Sequence, residues 1–422
     1  MFQIQRVATE VIGQVLAGRN LTEVLSETLQ HDTELTPQQR GGIRDLCYGT
    51  LRHYGTLDAV LKQMMTRPPE DPRVRLVLLV ALYQLQHTAA APYAIVDHAV
   101  RQVARWLPPA KGMANAILRR FQRERRSLLE QAGNDPASRY ALPGWWVNQL
   151  RQSYPERWKQ IAEAGLLHPP MGLRVNLRQQ TLVAYQQRLA DEGLSATAVG
   201  EAGLLLQTPV PVSRLPGFSE GAVSVQDLGA QQAALLLDAR DGMRVLDACA
   251  APGGKTGHLL ERHRLQLTAL DVDASRLQRV QDNLDRLGGQ ATLLCGDASQ
   301  PSAWWDGQPF DRILLDVPCS ASGVVRRNPD IKLHRRPADI EQFARQQAAL
   351  LDAIWPCLAV GGELLYATCS IFRAENQQQV VAFLERQPHA MLIPLGDDVA
   401  TLQLLPDAQQ DGFFYARLRK LA

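Results

Sequence analysis

Apolar residues recur at intervals of three and four through the first 135 positions, as in Ile4, Val7, Val11 and Val15, then Val74, Val77, Leu78, Ala81 and Leu82. That period puts them on one face of successive helices and predicts an all-α domain over residues 1–135. Thr36-Pro37-Gln38-Gln39 combines an N-cap, a proline at the first helical position and the glutamine of a capping box, so a helix starts there. The last helical stretch, NAILRRFQRERRSLLEQ, carries Arg119, Arg120, Arg123, Arg125 and Arg126. This cationic surface is a candidate for nucleic acid, although a solvated helix face without a partner produces the same pattern.

From 136 to 235 the segments shorten. A helical linker, ALPGWWVNQLRQSYPERWKQIAEA, precedes GLRVNL, TLVAYQQRLADEG, ATAVG and GLLLQT, which predict a strand, a helix and two strands of a small α+β module. From 236 to 422 helices alternate with the short apolar strands MRVLDACA, LTALDVD, ATLLCGDA, FDRILLDVP and GELLYATCS. That alternation predicts a doubly wound α/β domain with a mostly parallel sheet. Ligands on such sheets bind beyond the carboxyl ends of the strands, where Asp247, Asp271, Asp297, Asp316 and Thr368-Cys369 fall.

Composition adds limits. No apolar run approaches a membrane span, and Arg6 and Glu10 interrupt the first helix, so a cytoplasmic protein with no membrane association is expected. The six cysteines are scattered, without C-x-x-C or Cys/His ligand spacing, which predicts neither disulfides nor a metal site. The net charge of +2 hides an asymmetry: residues 1–140 carry 18 Lys plus Arg against 13 Asp plus Glu. Arginine outnumbers lysine 39 to 6, and guanidinium suits phosphate contact.

The stretch RVLDACAAPGGKTGHLL, residues 244–260, poses a choice of cofactor. Gly254, Lys255 and Thr256 satisfy the second half of the phosphate-binding pattern G-x-x-x-x-G-K-[ST], but Cys249 stands where the first glycine belongs, and Pro252 removes an N–H from the loop. Four strand-end acids would repel a triphosphate, so a P-loop ATPase is disfavoured, and G-x-G-x-x-G for a nicotinamide dinucleotide is missing. A cofactor with a ribose, an adenine and a positive charge suits the acids, and S-adenosylmethionine has all three. Asp271 is expected on the ribose and Asp297 on the adenine, while acids that merely cap turns account for one or two of the four. Cys319 and Cys369 follow directly on strands and should face each other, and a thiolate is the nucleophile that activation of a pyrimidine C5 through C6 requires.

The motifs DACAAPGGKT, LDVDASRL, LCGDA, LLDVPCSASG, YATCSI and DGFFYARL resemble those of the RNA cytosine-C5 methyltransferases. With the helical N-terminal region, similar to NusB, the chain resembles their bacterial Fmu/Sun branch over almost its whole length. The resemblance implies an all-α NusB-like RNA-binding domain, a small α+β module and an α/β doubly wound class I S-adenosylmethionine-dependent methyltransferase domain. It implies 16S ribosomal RNA as substrate, at cytosine 967, with Cys369 as nucleophile, Cys319 assisting product release and Asp316 touching both cofactor and cytosine. Cofactor contacts would come from Cys249, Ala250, Ala251, Pro252, Gly253, Gly254, Lys255, Asp271, Asp297 and Asp316. The segment GVVRRNPDIKLHRRP after Cys319 is expected to bring Arg326, Arg327 and Lys332 to RNA phosphates near the pocket, joined by Arg119, Arg120 and Arg123. No obligate protein partner is implied. A NusB-like factor that only binds RNA is the rival from outside catalysis, and it would leave the paired thiols without a purpose.

Overall fold

The structure, a computed structural model, describes residues 2–32, 34–65, 67–396 and 399–422. The chain divides into two compact units, one of residues 1–168 with 325–335 and one of residues 169–324 with 336–422.

The first unit is helical. Its N-terminal helix Phe2–Leu16 buries Val7, Val11 and Val15, as the spacing requires. Thr36 Oγ1 accepts the Gln39 N–H at 3.3 Å and Gln39 Oε1 accepts the Thr36 N–H at 2.8 Å, which completes the capping box of helix Pro37–Arg52. Helix Pro72–His87 is buried on every side from Val77 to Gln84, and a helix apolar all round must be central. The helices Gly144–Ser153 and Trp158–Ala164, expected to lead into the α+β module, group with this helical unit. Among the described residues no helix is long and apolar enough to cross a membrane.

Residues 325–335 return to this unit from far along the chain. Leu333 packs on the helical core, Asp330 accepts the Leu21 N–H at 3.2 Å, and His334 bonds the Val15 carbonyl at 2.8 Å. Arg52 donates twice to the Arg326 carbonyl, and Lys332 Nζ donates to the Arg52 carbonyl. Arg326 and Lys332 are 1% and 2% exposed. Burial, with the Arg52 charge adding, pushes the Lys332 ammonium down to about 7. These two residues are interior anchors, which corrects the expectation of a solvent-facing, phosphate-binding basic loop; Arg327 is half-buried.

The second unit holds two sheets. The smaller comprises β1 (Met171–Val175), β2 (Ala196–Val199), β3 (Gly203–Leu206) and β4 (Val223–Val225), antiparallel in the order β2-β3-β1-β4. Tyr185 and Leu189 of helix Leu182–Asp191 cover it. The strand β4 is absent from the sequence-based expectation because three residues show no period. The larger sheet contains β5 (Arg244–Ala248), β6 (Gln266–Asp271), β7 (Thr292–Cys295), β8 (Phe310–Asp316), β9 (Leu358–Thr368), β10 (Ala390–Ile393), β11 (Thr401–Leu404) and β12 (Phe413–Lys420). Its order is β10-β12-β9-β8-β5-β6-β7 with β11 on β12; β5 to β9 run parallel and β12 pairs antiparallel with its three neighbours. The order reverses at β5, and its neighbours β6 and β8 carry the chain in opposite directions across the sheet, so the crevice beyond β5 and β8 is the switch point.

One buried arginine ties the two sheets together. Arg174 on β1 is 0% exposed, and its guanidinium forks onto both oxygens of Glu261 at 2.7 and 2.8 Å. Its remaining nitrogen donates to the Gly254 carbonyl at 2.8 Å and to Gln226. Arg174→Met keeps the bulk but leaves Glu261 buried without its cation, so the unit should lose about 3–5 kcal/mol. Hydrogen exchange of the β1 and Gly254–Arg262 amides measures this locally, and unchanged protection would show the pair to be energetically neutral.

Candidate active site

The loop after β5 makes a tight descent into helix Gly254–Arg262. Cys249 has φ of +63° and Gly253 of +91°. A side chain on Gly253 would meet Val280 at 3.1 Å, so the position needs both the left-handed conformation and the missing Cβ. Lys255 and Thr256, which suggested a phosphate loop, are both engaged by carboxylates. Thr256 Oγ1 donates to Asp247 at 2.6 Å and Lys255 Nζ donates to Asp316. Neither is positioned for a triphosphate.

The four strand-end acids occupy four different environments. Asp271, 2% exposed, accepts the Ala251 and Asp273 N–H groups at 3.1 Å each, and Arg276 lies 3.5 Å away. A carboxylate has about four acceptor sites, so two remain. Asp297 holds its own turn through the Ser299 N–H and Oγ, and those bonds keep its carboxyl below the usual carboxylate range. Asp316 is half-buried against Lys255, whose ammonium burial would lower but which the Asp316 carboxylate holds up. Asp247 is 1% exposed, with Oδ1 unpartnered. Burial pushes its carboxyl up to about 7; the Asp316 and Asp271 charges add to this, while Thr256 and Lys255 oppose it.

Asp271, Asp297, Cys249, Pro318 and Leu350 line one cleft together with Val272, which is 68% exposed. An open apolar surface beside two carboxylates was not expected from sequence, because a lone valine after a strand has no distinguishing pattern. Burial, with the surrounding aspartates, pushes the Cys249 thiol up to about 12, so it stays neutral.

Cys319 and Cys369 face each other, Sγ to Sγ at 3.5 Å. Parallel pairing sets this approach: Asp316 on β8 is in register with Ala367 on β9, and the Val317 N–H reaches the Ala367 carbonyl at 3.1 Å. The Gly323 N–H then donates to the Cys369 carbonyl at 2.9 Å, and the Gly412 N–H to the Gly323 carbonyl at 2.9 Å. A Cβ on Gly323 would stand 2.2 Å from the Gly412 oxygen, which explains a glycine in each motif. Lys255 lies near enough for the Cys369 charge to help hold its ammonium up. The hydrogen bond to Cys369 and burial drive the Cys319 thiol well above its ordinary value. Cys319, Cys369, Asp316 and Lys255 thus share one site, with the cleft of Asp271 and Asp297 reaching it through Cys249 and Pro318. Among the described residues no cluster could hold a metal ion. Arg119 and Arg123 are exposed on helix Lys111–Ala132, while Arg120 pairs with Glu124 at 2.8 Å.

A doubly wound sheet with an acid after each central strand and two thiols at its switch point defines a methyltransferase catalytic domain, here carried with a helical unit and a small α+β sheet. The chain belongs to the family of ribosomal RNA small subunit methyltransferase B. Residues 234–419 match the model of 16S rRNA methyltransferase RsmB/F, residues 142–213 the ferredoxin-like domain of RsmF/B-like methyltransferases, and residues 3–123 the NusB family. It is 43% identical to ribosomal RNA small subunit methyltransferase B of Vibrio cholerae, covering 100% of this chain and 98% of that protein. Identity to the Pseudomonas putida protein of that name is 44%, over 97% and 98%. The crystal structure of PH0851 superposes with a TM-score of 0.81 at 25% identity, covering 100% of this chain and 99% of the other. A methyltransferase homologue from Pyrococcus horikoshii gives 0.59 at 29%, over 68% and 97%.

The Asp247 carboxyl generates a pH test. Unfolded, it loses its proton near pH ~4; folded, it keeps it to about 7. Between those values the folded state binds the extra proton, so stability from this group is complete below the window and is lost as pH rises through it. Asp247→Asn has no such proton to lose. Its urea midpoint relative to wild type should rise between pH ~5 and ~7.5, by a few kcal/mol in stability. A gap independent of pH would mean that Asp247 is ionised throughout.

Proposed function

We propose that this protein methylates C5 of a cytosine in 16S ribosomal RNA in the cytoplasm, with S-adenosylmethionine as donor and through a covalent adduct on Cys369; the resemblance points to cytosine 967. The observation that carries the reading is the pair of thiols at 3.5 Å beside the Lys255–Asp316 ion pair. Exocyclic amine methylation has no use for two thiols. A non-catalytic RNA binder has no use for them either.

The cleft suits the donor. Asp271 retains acceptor sites for ribose hydroxyls, Val272 offers an apolar surface to the adenine ring, and Asp297 and Cys249, the first residue of the loop that runs to Lys255, line the same cleft. When bound, S-adenosylmethionine supplies an electrophilic methyl group on a sulfonium. Cys369, as thiolate, adds to C6 of the cytosine and makes C5 nucleophilic. Asp316, oriented by Lys255, accepts hydrogen bonds from the base edge and holds the ring in place. After methylation the C5 proton leaves to a base that Cys319 provides or orients. The C6–S bond then breaks and Cys369 departs as thiolate. Arg119 and Arg123 in the NusB-like unit serve RNA phosphates.

Cys369→Ala should abolish both methyl transfer and any covalent protein–RNA species. Cys319→Ala should stall after methylation and yield an RNA adduct that survives denaturing electrophoresis; exchanged phenotypes would assign attack to Cys319. Asp271→Ala should weaken S-adenosylmethionine by ~2–4 kcal/mol in calorimetry, and unchanged affinity in a folded variant would displace the cofactor from this cleft.

A further inference from the structure

Behind the thiols lies a buried carboxylate that no motif in the sequence announced. Glu375 is 0% exposed, in the turn Arg373–Glu375 that precedes helix Gln377–Arg386. One of its oxygens accepts the Ser320 backbone N–H at 2.6 Å and Gln347 Nε2 at 3.3 Å. The other accepts the Ser320 and Ser370 hydroxyls, both at 2.6 Å. Ser320 follows Cys319, and Ser370 follows Cys369. A single carboxylate therefore grips the residue next to each thiol. The grip extends further: Ser370 Oγ accepts the Phe372 N–H at 3.0 Å, Ser322 Oγ accepts the Ile371 N–H at 2.9 Å, and the Ser322 and Ser370 hydroxyls meet at 2.9 Å. The Tyr366 hydroxyl donates to the Glu375 carbonyl at 2.6 Å.

We propose that Glu375 is the positioning residue of the thiol pair, fixing the Sγ–Sγ approach and making Cys319 the S–H donor to Cys369. The inference rests on the covalent reading above for its chemistry and on the hydrogen-bond geometry for its existence. Both Glu375 oxygens are satisfied by this buried network, and a support held on so many sides keeps a nucleophile within attacking geometry. The charge acts on Cys319: its repulsion is one of the causes that hold that thiol in the protonated form, behind the Cys369 contact and burial. Burial raises the Glu375 carboxyl itself, and the Ser320 and Ser370 bonds oppose that rise. The other titratable groups facing the pair are Lys255 on helix Gly254–Arg262, Asp316 at the end of β8, Tyr366 on β9 and Tyr415 on β12. Burial drives both tyrosines well above their ordinary value.

Two variants separate charge from reach. Glu375→Gln keeps the shape: its carbonyl can still accept the Ser320 N–H, and its amide can donate to the serine hydroxyls, which turn to accept. Glu375→Asp keeps the charge but falls one methylene short. In the full-length protein Glu375→Gln should lower kcat about 10–100-fold, leave S-adenosylmethionine affinity within about twofold of wild type, and move the alkaline limb of the pH–rate profile to lower pH, because the anion that opposes Cys319 ionisation is gone. Glu375→Asp should lower kcat with the limb in place. Wild-type kcat and pH profile in Glu375→Gln would overturn the proposal, and so would a lower melting temperature with unchanged kinetics, the mark of a purely structural role. RNA carrying 5-fluorocytidine tests the covalent reading separately, since fluorine cannot leave as the C5 proton does. Failure of wild type to form an adduct with it sinks that reading, whereas adduct formation by Glu375→Gln at the wild-type rate sinks the positioning role alone.

Discussion

Two parallel strands laid side by side must release their chains at the same edge of the sheet, and everything at this site depends on that for β8 and β9. Their register pairs Leu315 with Tyr366 and Asp316 with Ala367, so the turns that begin at Val317 and Cys369 leave at one level. Cys319 and Cys369, 50 residues apart in sequence, then need only short turns to meet. The Gly323 contacts to Cys369 and to Gly412 brace the outer side of those turns, and Glu375 braces the inner side. Shifting β9 by one residue would turn Thr368 and Cys369 to opposite faces and dissolve the arrangement.

Crowding carboxylates at one sheet edge carries an electrostatic cost, and each acid meets it differently. Asp247 is held toward the neutral form by burial, Asp271 is surrounded by N–H groups and Arg276, Asp297 is held by its own turn, and Asp316 takes Lys255. Only the ion pair leaves a charged couple beside the thiols. In the proposed reaction that couple serves the pyrimidine, with Asp316 accepting from its edge. Similar residues thus acquire separate duties from their surroundings alone.

Residues 325–335 show the limit of reading chemistry from nearness in sequence. Arg326 and Lys332 follow Cys319 by 7 and 13 positions, yet Arg52 holds the Arg326 carbonyl and accepts the Lys332 ammonium within the helical unit. Burying two cations there, with the Lys332 ammonium pushed down to about 7, is costly for a segment that merely connects. The helical unit is consequently not one continuous stretch of chain.

The sequence by itself determined the elements whose cause is local. Helical period set the N-terminal unit, Thr36 and Gln39 set a helix start, and the alternation of helices with acid-terminated strands set the doubly wound domain, down to the pairing of a Pro-Cys and a Thr-Cys turn. The resemblance of those motifs to the RNA cytosine-C5 methyltransferases was legible for the same reason, since their spacing is a local property. What tertiary structure alone decided depends on groups distant in sequence meeting in a low-dielectric interior. Strand β4 forms because β1 offers it an edge, and Arg174 is an interior anchor because Glu261 comes to meet it. Asp247 is held toward neutrality by what buries it, and Glu375 becomes a clamp because Ser320 and Ser370 converge on it. No period or spacing encodes Glu261 as the partner of Arg174 or Glu375 as the partner of Ser320 and Ser370; only the packed chain brings these groups within hydrogen-bonding distance and removes the water that would otherwise weaken them.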